Sequence, residues 1–395
     1  MMNFLKNPCN IYLSFLTFYL IQGVMIPTGG TVFSQLILSC AMLMGIYYTV
    51  KTICLPNIPV YFTGLNMLFF MFIIYGILLL FSNHHYIIIF SWSEVPNSTF
   101  LKNIFLSLPN IYVFYYFSRK GYLTEKALKK WVIVFLASSV FRYIDNQMAL
   151  LNMMQLKGVQ TKEMTNNMGY LFVALMPTIA VFKDKVRIQY GILILCMAFI
   201  MMAMKRGAII VGTIMLIYIL YFNYKYNKNV SKRKVIVFSL FIIVAAYFIT
   251  EYMMESSDYF MSRIEQTKEG NSSGRNALYE RYWNHFKNET DIFKYLLGNG
   301  ANATLGIGVN YAHNDWLEIA IDEGVLGLVI YCIYWFCFWR TIASIKYNIT
   351  AKLVLTLTFI SFLIMTVFSM SYTEYSIYSC SVFGYYLAHY KEKEQ

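Results

Sequence analysis

Residues 191–222 have the sequence GILILCMAFIMMAMKRGAIIVGTIMLIYILYF, two long apolar runs separated by one pair of cations, Lys205 and Arg206. The hydrocarbon core of a bilayer is about 30 Å thick, so a helix needs roughly 20 mostly apolar residues to cross it. With the residues on either side, each run reaches that length. The stretch therefore predicts two membrane-spanning helices joined by a tight turn, and similar apolar runs recur along most of the chain.

The composition excludes a soluble protein. Of the 395 residues, 58% are hydrophobic and only 13% are charged, whereas about 25% of the residues in a soluble domain are charged. The net charge of +12 comes from short basic clusters between apolar runs, which is typical of cytoplasmic membrane loops and not of a nucleic-acid-binding surface. We therefore expect the lipid bilayer as a partner and no nucleic acid.

The apolar runs predict an all-α, polytopic integral membrane protein with about twelve spans. The expected spans are residues 10–27, 32–50, 58–81, 100–117, 131–150, 167–182, 188–205, 207–223, 235–252, 315–339, 352–370 and 374–390. Three regions follow from them. Residues 1–252 hold spans one to nine, residues 253–312 form one large loop with short amphipathic helices, and residues 313–395 hold spans ten to twelve.

Basic residues test this arrangement, because cytoplasmic loops are enriched in lysine and arginine. With the amino terminus inside, every expected inside loop is basic, and these loops carry Lys51, Arg119, Lys120, Lys126, Lys129, Lys130, Lys183, Lys185, Arg187, Lys225, Lys228, Lys232, Arg233, Lys234, Arg340, Lys346 and Lys352. Both termini are therefore expected in the cytoplasm and the large loop on the outer side. The turn with Lys205 and Arg206 also falls outside, and this exception indicates a function.

Within the large loop, residues 275–287 predict an amphipathic helix, since four aromatic residues share one face at helical spacing: Tyr279, Tyr282, Trp283 and Phe286. The glycine-rich segment 298–308 has neither the Walker nor the Rossmann spacing. We interpret it as flexible backbone before the next helix. The segment around 270–274 is expected to be flexible as well.

Neither a metal nor a cofactor is predicted. The seven cysteines are scattered without a CxxC pair, and His84 and His85 are adjacent with no third ligand nearby. No DxD motif is present for a metal-bound nucleotide sugar.

Three side chains suited to chemistry fall on the outer side: His313 before the tenth span, Arg206 and Arg275. A histidine with an ordinary pKa of about 6.5 accepts a proton near neutrality, and the planar arginine fork binds phosphate through paired charged hydrogen bonds. The pattern indicates a site that moves a group from a pyrophosphate, with His313 as the base. Asn314 is expected to cap the following helix and to lie at the same site.

Each candidate also has a structural interpretation. His313 could be a helix-entry residue, Arg206 an interfacial anchor and Arg275 a solvated helix start. Lys205 either adds a phosphate contact or extends to the interface. Arg142, three residues before Asp145 on the fifth span, either pairs with that acid or binds substrate.

The chain resembles the O-antigen polymerase and ligase family of bacterial envelope polysaccharide assembly. The resemblance rests on the order and spacing of Arg206 and Gly207; Ser273, Gly274, Arg275 and Trp283; Gly298 and Gly300; and His313, Asn314, Leu317, Glu318, Glu323, Gly324 and Gly327. It departs from the usual pattern at Met204 and Lys205, because serine is common there.

This resemblance implies a metal-independent, inner-membrane glycosyltransferase whose donor is an undecaprenyl-pyrophosphate-linked glycan. It also implies that the histidine activates the acceptor hydroxyl on the periplasmic face and that arginines hold the pyrophosphate. A flippase and a chain-length regulator of the same pathway are possible partners. We predict an O-antigen polymerase; the alternatives are a ligase that transfers to lipid A core and a non-enzymatic flippase.

Overall fold

The computed structural model describes residues 6–25, 32–88, 93–156, 165–227, 230–256, 261, 265, 275–308, 310–368 and 377–392. The helices among them are α1 (Pro8–Met25), α2 (Val32–Ile53), α3 (Tyr61–Leu80), α4 (Ser98–Ser107), α5 (Pro109–Arg119), α6 (Glu125–Leu156), α7 (Gly169–Leu175), α8 (Val186–Met202), α9 (Arg206–Tyr226), α10 (Lys232–Ser256), α11 (Arg275–Lys287), α12 (Ile292–Leu297), α13 (Ala303–Ile307), α14 (Asp315–Asp322), α15 (Gly324–Ala343), α16 (Ile349–Phe368) and α17 (Ile377–His389). The segment expected to be flexible at 270–274, with Ser273 and Gly274, lies outside the described residues.

Five of the described helices are long and apolar enough to cross a membrane: α2, α3, α9, α15 and α16. The apolar segments Gly169–Phe182 and Val186–Met202 are shorter. The chain is thus a mostly helical, multi-pass membrane protein. The number of twelve crossings, the three regions and the sidedness remain predictions.

Several expected spans are interrupted. The span expected at 100–117 consists of α4 and α5, which meet at Pro109, where the missing N–H interrupts the helical hydrogen bonds. The span expected at 315–339 breaks at Gly324, whose φ is +70°. Its polar first part is therefore a separate helix, α14, and the apolar crossing begins with α15.

Small residues allow close helix packing in the core, as is common in membrane proteins. A Cβ atom at Gly64 of α3 would lie 2.7 Å from the Cα of Tyr334 in α15, and one at Gly384 of α17 would lie 2.7 Å from the Cβ of Phe114 in α5. The Tyr61 ring packs edge-on against Phe338, with ring centres 4.9 Å apart. The same Tyr61 ring packs edge-on against Phe383 of α17, with ring centres 5.0 Å apart, so α3, α5, α15 and α17 form one bundle.

A short hairpin departs from the all-α prediction. Strands β1 (Tyr86–Ile88) and β2 (Ser93–Val95) pair antiparallel, with Tyr86 opposite Val95. The Tyr86 ring packs over Gly306 of α13, since a Cβ at Gly306 would lie 3.3 Å from it. The hairpin therefore joins the segment after α3 to the large polar loop.

Candidate active site

His313 sits in a strained turn directly before α14. Its φ is +52°, a left-handed conformation that is uncommon for any residue except glycine. The Asn314 side-chain oxygen accepts hydrogen bonds from the N–H groups of Trp316 at 3.0 Å and Leu317 at 3.2 Å. The predicted helix cap at Asn314 is confirmed, and it fixes the chain immediately after His313.

The orientation of the His313 ring follows from its neighbour Asn310. The Asn310 Oδ1 atom accepts the N–H of Tyr311 at 2.9 Å, so its Nδ2 atom faces the ring, 3.2 Å from His313 Nε2. An amide nitrogen can only donate. His313 Nε2 is therefore the acceptor, and the proton of the neutral ring is on Nδ1.

Tyr279 of α11 connects the predicted loop helix to this turn. Its hydroxyl lies 3.3 Å from the His313 carbonyl oxygen and 3.0 Å from that of Val367, near the end of α16. The same hydroxyl interacts with the side chains of Arg275 and Asn314. One tyrosine thus brings the first residue of α11, the histidine turn and the end of α16 together.

Two cations act on the His313 imidazole. Burial, followed by the charges of Arg275 and Lys205, lowers the pKa of His313 to about 4. Both cations disfavour protonation of the ring, because the protonated ring would carry a positive charge beside them. Arg275 and Lys205, which lie on separate segments of the chain, are therefore close enough to His313 for their charges to act on its ring.

The turn that carries Lys205 is held by Asn166. The backbone N–H of Asn166 donates to the carbonyl of Ala203 at 2.9 Å, and its side chain donates to Gln147 of α6 at 3.0 Å. Met204 adopts a φ of +50°, and Arg206 then begins α9. Arg206 is therefore next to the site, at a helix start whose partial positive charge favours anions.

Arg142 lies on α6, the helix that supports this turn through Gln147. Its charge interacts with the hydroxyl of Tyr378 in α17. Arg142, on the helix whose Gln147 contacts Asn166, is therefore close enough to α17 for its charge to act on Tyr378.

Four buried acids in and directly after α14 were not among the predicted site residues: Asp315, Glu318, Asp322 and Glu323. Glu318 and Asp322 lie one turn apart on α14, with 0% and 1% of their surfaces exposed. Burial raises the pKa of Glu318 to about 7, and burial together with Glu318 raises the pKa of Asp322 well above its usual range. Two signals were available in the sequence: Glu318 belongs to the pattern that carries the family resemblance, and the two acids stand at i and i+4 in a short amphipathic helix, which most often indicates solvent exposure.

The glycine-rich segment is docked, so its interpretation as flexible backbone was wrong. The N–H groups of Asn299 and Gly300 donate to the carbonyls of Ile321 and Asp322, each at 2.9 Å. The Asp322 carboxylate accepts the N–H groups of Asn302 at 2.8 Å and Thr304 at 3.1 Å. The segment is therefore fixed against the end of α14.

Glycine is required where this segment meets α15. Gly298 has a φ of +78°, and a Cβ there would lie 2.2 Å from the Asp322 carbonyl oxygen. A Cβ at Gly324 would lie 2.5 Å from the Gly298 nitrogen. The Gly-x-Gly and Glu-Gly-x-x-Gly motifs therefore pack directly against each other.

We expect Gly298→Ala to lower the midpoint of thermal denaturation in detergent. A left-handed non-glycine residue and an overpacked contact each cost about 1–3 kcal/mol. Gly191→Ala is the matched control, because a Cβ at Gly191 meets nothing within 4 Å. Equal midpoints for the two variants would contradict the docked arrangement.

Among the described residues, no group of three histidine, cysteine or acidic side chains is arranged to hold a metal ion.

The fold and the site define a multi-pass membrane protein in which a neutral histidine and cations from separate segments converge. A model of the family described as O-antigen ligase matches residues 191–332, which run from α8 into α15 and include Lys205, Arg206, Arg275 and His313. This match supports the predicted resemblance to the O-antigen polymerase and ligase family, whose members are glycosyltransferase-like enzymes. No curated protein matches the chain.

Proposed function

We propose that the protein is an O-antigen polymerase of the bacterial inner membrane. It transfers a glycan from an undecaprenyl pyrophosphate carrier to the terminal sugar hydroxyl of another lipid-linked repeat unit, on the periplasmic face. The observation that carries this proposal is the convergence of His313 with Arg275 and Lys205. A diphosphate leaving group needs cations, and an acceptor hydroxyl needs a base, so the two requirements are met at one place.

In the proposed reaction, the acceptor hydroxyl oxygen forms a bond to the anomeric carbon of the donor glycan. The bond from that carbon to the diphosphate oxygen breaks, and the lipid diphosphate leaves with the electron pair. The hydroxyl proton goes to His313 Nε2, whose lone pair faces the Asn310 amide in the structure. The acceptor hydroxyl takes the place of that amide when it binds.

Arg275, Lys205 and Arg206 hold the diphosphate in this proposal. Arg275 is placed by Tyr279, and Arg206 begins α9, where the helix start adds partial positive charge. Charge developing on the leaving oxygen is stabilised by these fixed cations. Arg142 and Asn314 support the site from α6 and from the cap of α14.

Purified protein in nanodiscs with lipid-linked repeat units tests this function. We expect longer glycans to form without ATP or added metal. Translocation of the lipid without elongation would indicate a flippase and contradict the proposal.

A ligase is the second candidate, because the matching family model is itself described as O-antigen ligase. The donor site would be the same, and only the acceptor would differ. The same assay with lipid A core added separates the two: a ligase transfers the glycan to the core, whereas a polymerase lengthens the lipid-linked glycan.

The pH dependence follows from the burial of His313 and from the two cations that act on it. His313 accepts a proton only when it is neutral, so activity is present above its pKa and is lost as the pH falls through it. In the free protein that pKa is about 4, and the acid limb of kcat/KM should lie there. The negative charge of bound diphosphate offsets the positive charges of Arg275 and Lys205, so the pKa of His313 rises when the donor binds. The acid limb of kcat should therefore lie at higher pH than that of kcat/KM.

Both limbs are measured from initial elongation rates at saturating and at low donor concentration. Arg275→Ala serves as the comparison, because loss of the cation should move the kcat/KM limb upward. If the acid limb of kcat lies at the same pH as that of kcat/KM or at a lower pH, bound diphosphate does not raise the pKa of His313.

A further inference from the structure

We propose that Glu318 is a positioning residue that holds the backbone before His313 and so aims the imidazole at the acceptor hydroxyl. The inference rests on the proposed role of His313 as the base. Glu318 would not contact either substrate. It would act through the peptide that joins Ala312 to Tyr311.

The contacts of Glu318 are short and buried. Its Oε2 atom accepts the backbone N–H of Ala312 at 2.7 Å, and its Oε1 atom accepts the hydroxyl of Thr304 at 2.5 Å. Glu318, Ala312 and Thr304 are each 0% exposed. Water therefore does not reach these groups, and the carboxyl group is the partner that the Ala312 N–H has in the structure.

The conformation of His313 makes such a contact necessary. With a φ of +52°, this non-glycine residue is in a conformation that costs of order 1 kcal/mol or more and persists only when its surroundings hold it. Asn314 fixes the chain after the turn, and Tyr279 contacts the carbonyl of His313 itself. Glu318 supplies the contact on the amino-terminal side.

Asp322, on the same helix, is a second buried acid whose contacts differ from those of Glu318. It lies one turn further along α14, and its carboxylate accepts the N–H groups of Asn302 and Thr304. Asp322 thus holds the glycine-rich segment, whereas Glu318 also holds the histidine turn. The two acids are equally buried but are expected to have different effects on catalysis.

Two conservative substitutions of Glu318 distinguish the effect of side-chain length from the effect of charge. Glu318→Gln keeps the length of the side chain. Its carbonyl oxygen can therefore still accept the Ala312 N–H, and its amide nitrogen can donate to the hydroxyl oxygen of Thr304. Glu318→Asp keeps the acid but shortens the side chain by one methylene, so it cannot reach both groups. A displacement of about 1 Å at a catalytic group can cost roughly 100-fold in rate.

Elongation is measured for each variant per folded molecule, quantified by size-exclusion chromatography in detergent. We expect Glu318→Gln to keep kcat within about threefold and Glu318→Asp to lose roughly 10- to 100-fold in kcat with the donor KM unchanged. In a His313→Ala background, Glu318→Asp should cause no further loss. Asp322→Asn, the matched control, should lower thermal stability but leave kcat per folded molecule within about threefold.

Other outcomes overturn the inference in distinct ways. If Glu318→Gln is inactive and Glu318→Asp is active, the charge matters and positioning is wrong. Equal kcat for both variants and the parent protein would indicate packing alone. If His313→Ala retains full activity, the proposed function itself fails, whatever the Glu318 variants do.

Discussion

His313→Ala is expected to lower kcat by a factor of roughly 100 to 10,000, the usual contribution of a positioned general base. The donor KM should change little, because the diphosphate is held by cations on other segments. Initial elongation rates with purified protein and lipid-linked repeat units measure both constants.

His84→Ala is the control for this variant. His84 is exposed in the segment before the hairpin, and its ring stacks on that of Tyr86 in β1, with ring centres 5.8 Å apart. Its removal should leave elongation unchanged. Full activity of His313→Ala, or equal losses in the two variants, would contradict the assignment of the base.

Arg275→Ala is expected to weaken donor binding by roughly 10- to 100-fold, because a charge-assisted hydrogen bond contributes about 1.5–3 kcal/mol. It should also raise the pKa of His313, since Arg275 is one of the two cations that lower it. Binding of undecaprenyl pyrophosphate to the protein in nanodiscs measures the first effect, and the pH profile of kcat/KM measures the second.

Arg281→Ala is the matched control, because Arg281 is an exposed arginine on the same helix, α11. Arg275→Lys should restore part of the affinity, since lysine keeps the charge but not the planar fork. Equal donor affinity in Arg275→Ala and Arg281→Ala would show that Arg275 does not bind the diphosphate.

The sequence predicted from sidedness that His313, Arg206 and Arg275 lie at one site, and it left Lys205 open between a phosphate contact and an interfacial position. Apolar runs and basic loops place segments on one side of a membrane with little need for tertiary detail. The polar turn at Lys205 breaks the charge rule, and that break indicated the site. The family resemblance suggested the roles of these residues, and the family-model match over residues 191–332 supports that resemblance.

Glu318 belongs to the family pattern, but its role and that of Asp322 could not be assigned from sequence, because both acids act through backbone contacts. Each carboxyl group accepts N–H groups 6 to 20 residues away in the chain. Hydropathy and charge patterns carry no information on such pairing. An acid in a short amphipathic helix has the same pattern whether it faces water or the backbone of a neighbouring loop.

The glycine-rich segment shows the same limit. A run of glycines predicts conformational freedom, yet Gly298 and Gly324 are glycines because two backbones approach within a distance that excludes a Cβ. The three-residue strands of the hairpin were also missed. Strands this short have too few residues for an alternating pattern to appear.

The most direct measurement is a cryo-electron microscopy structure of the protein in nanodiscs with a bound undecaprenyl pyrophosphate-linked repeat unit. We expect the diphosphate oxygens to contact Arg275 and Lys205 at about 2.7–2.9 Å and the anomeric carbon to face His313. A diphosphate bound away from these cations, or separated from His313 by a helix, would contradict the proposed site.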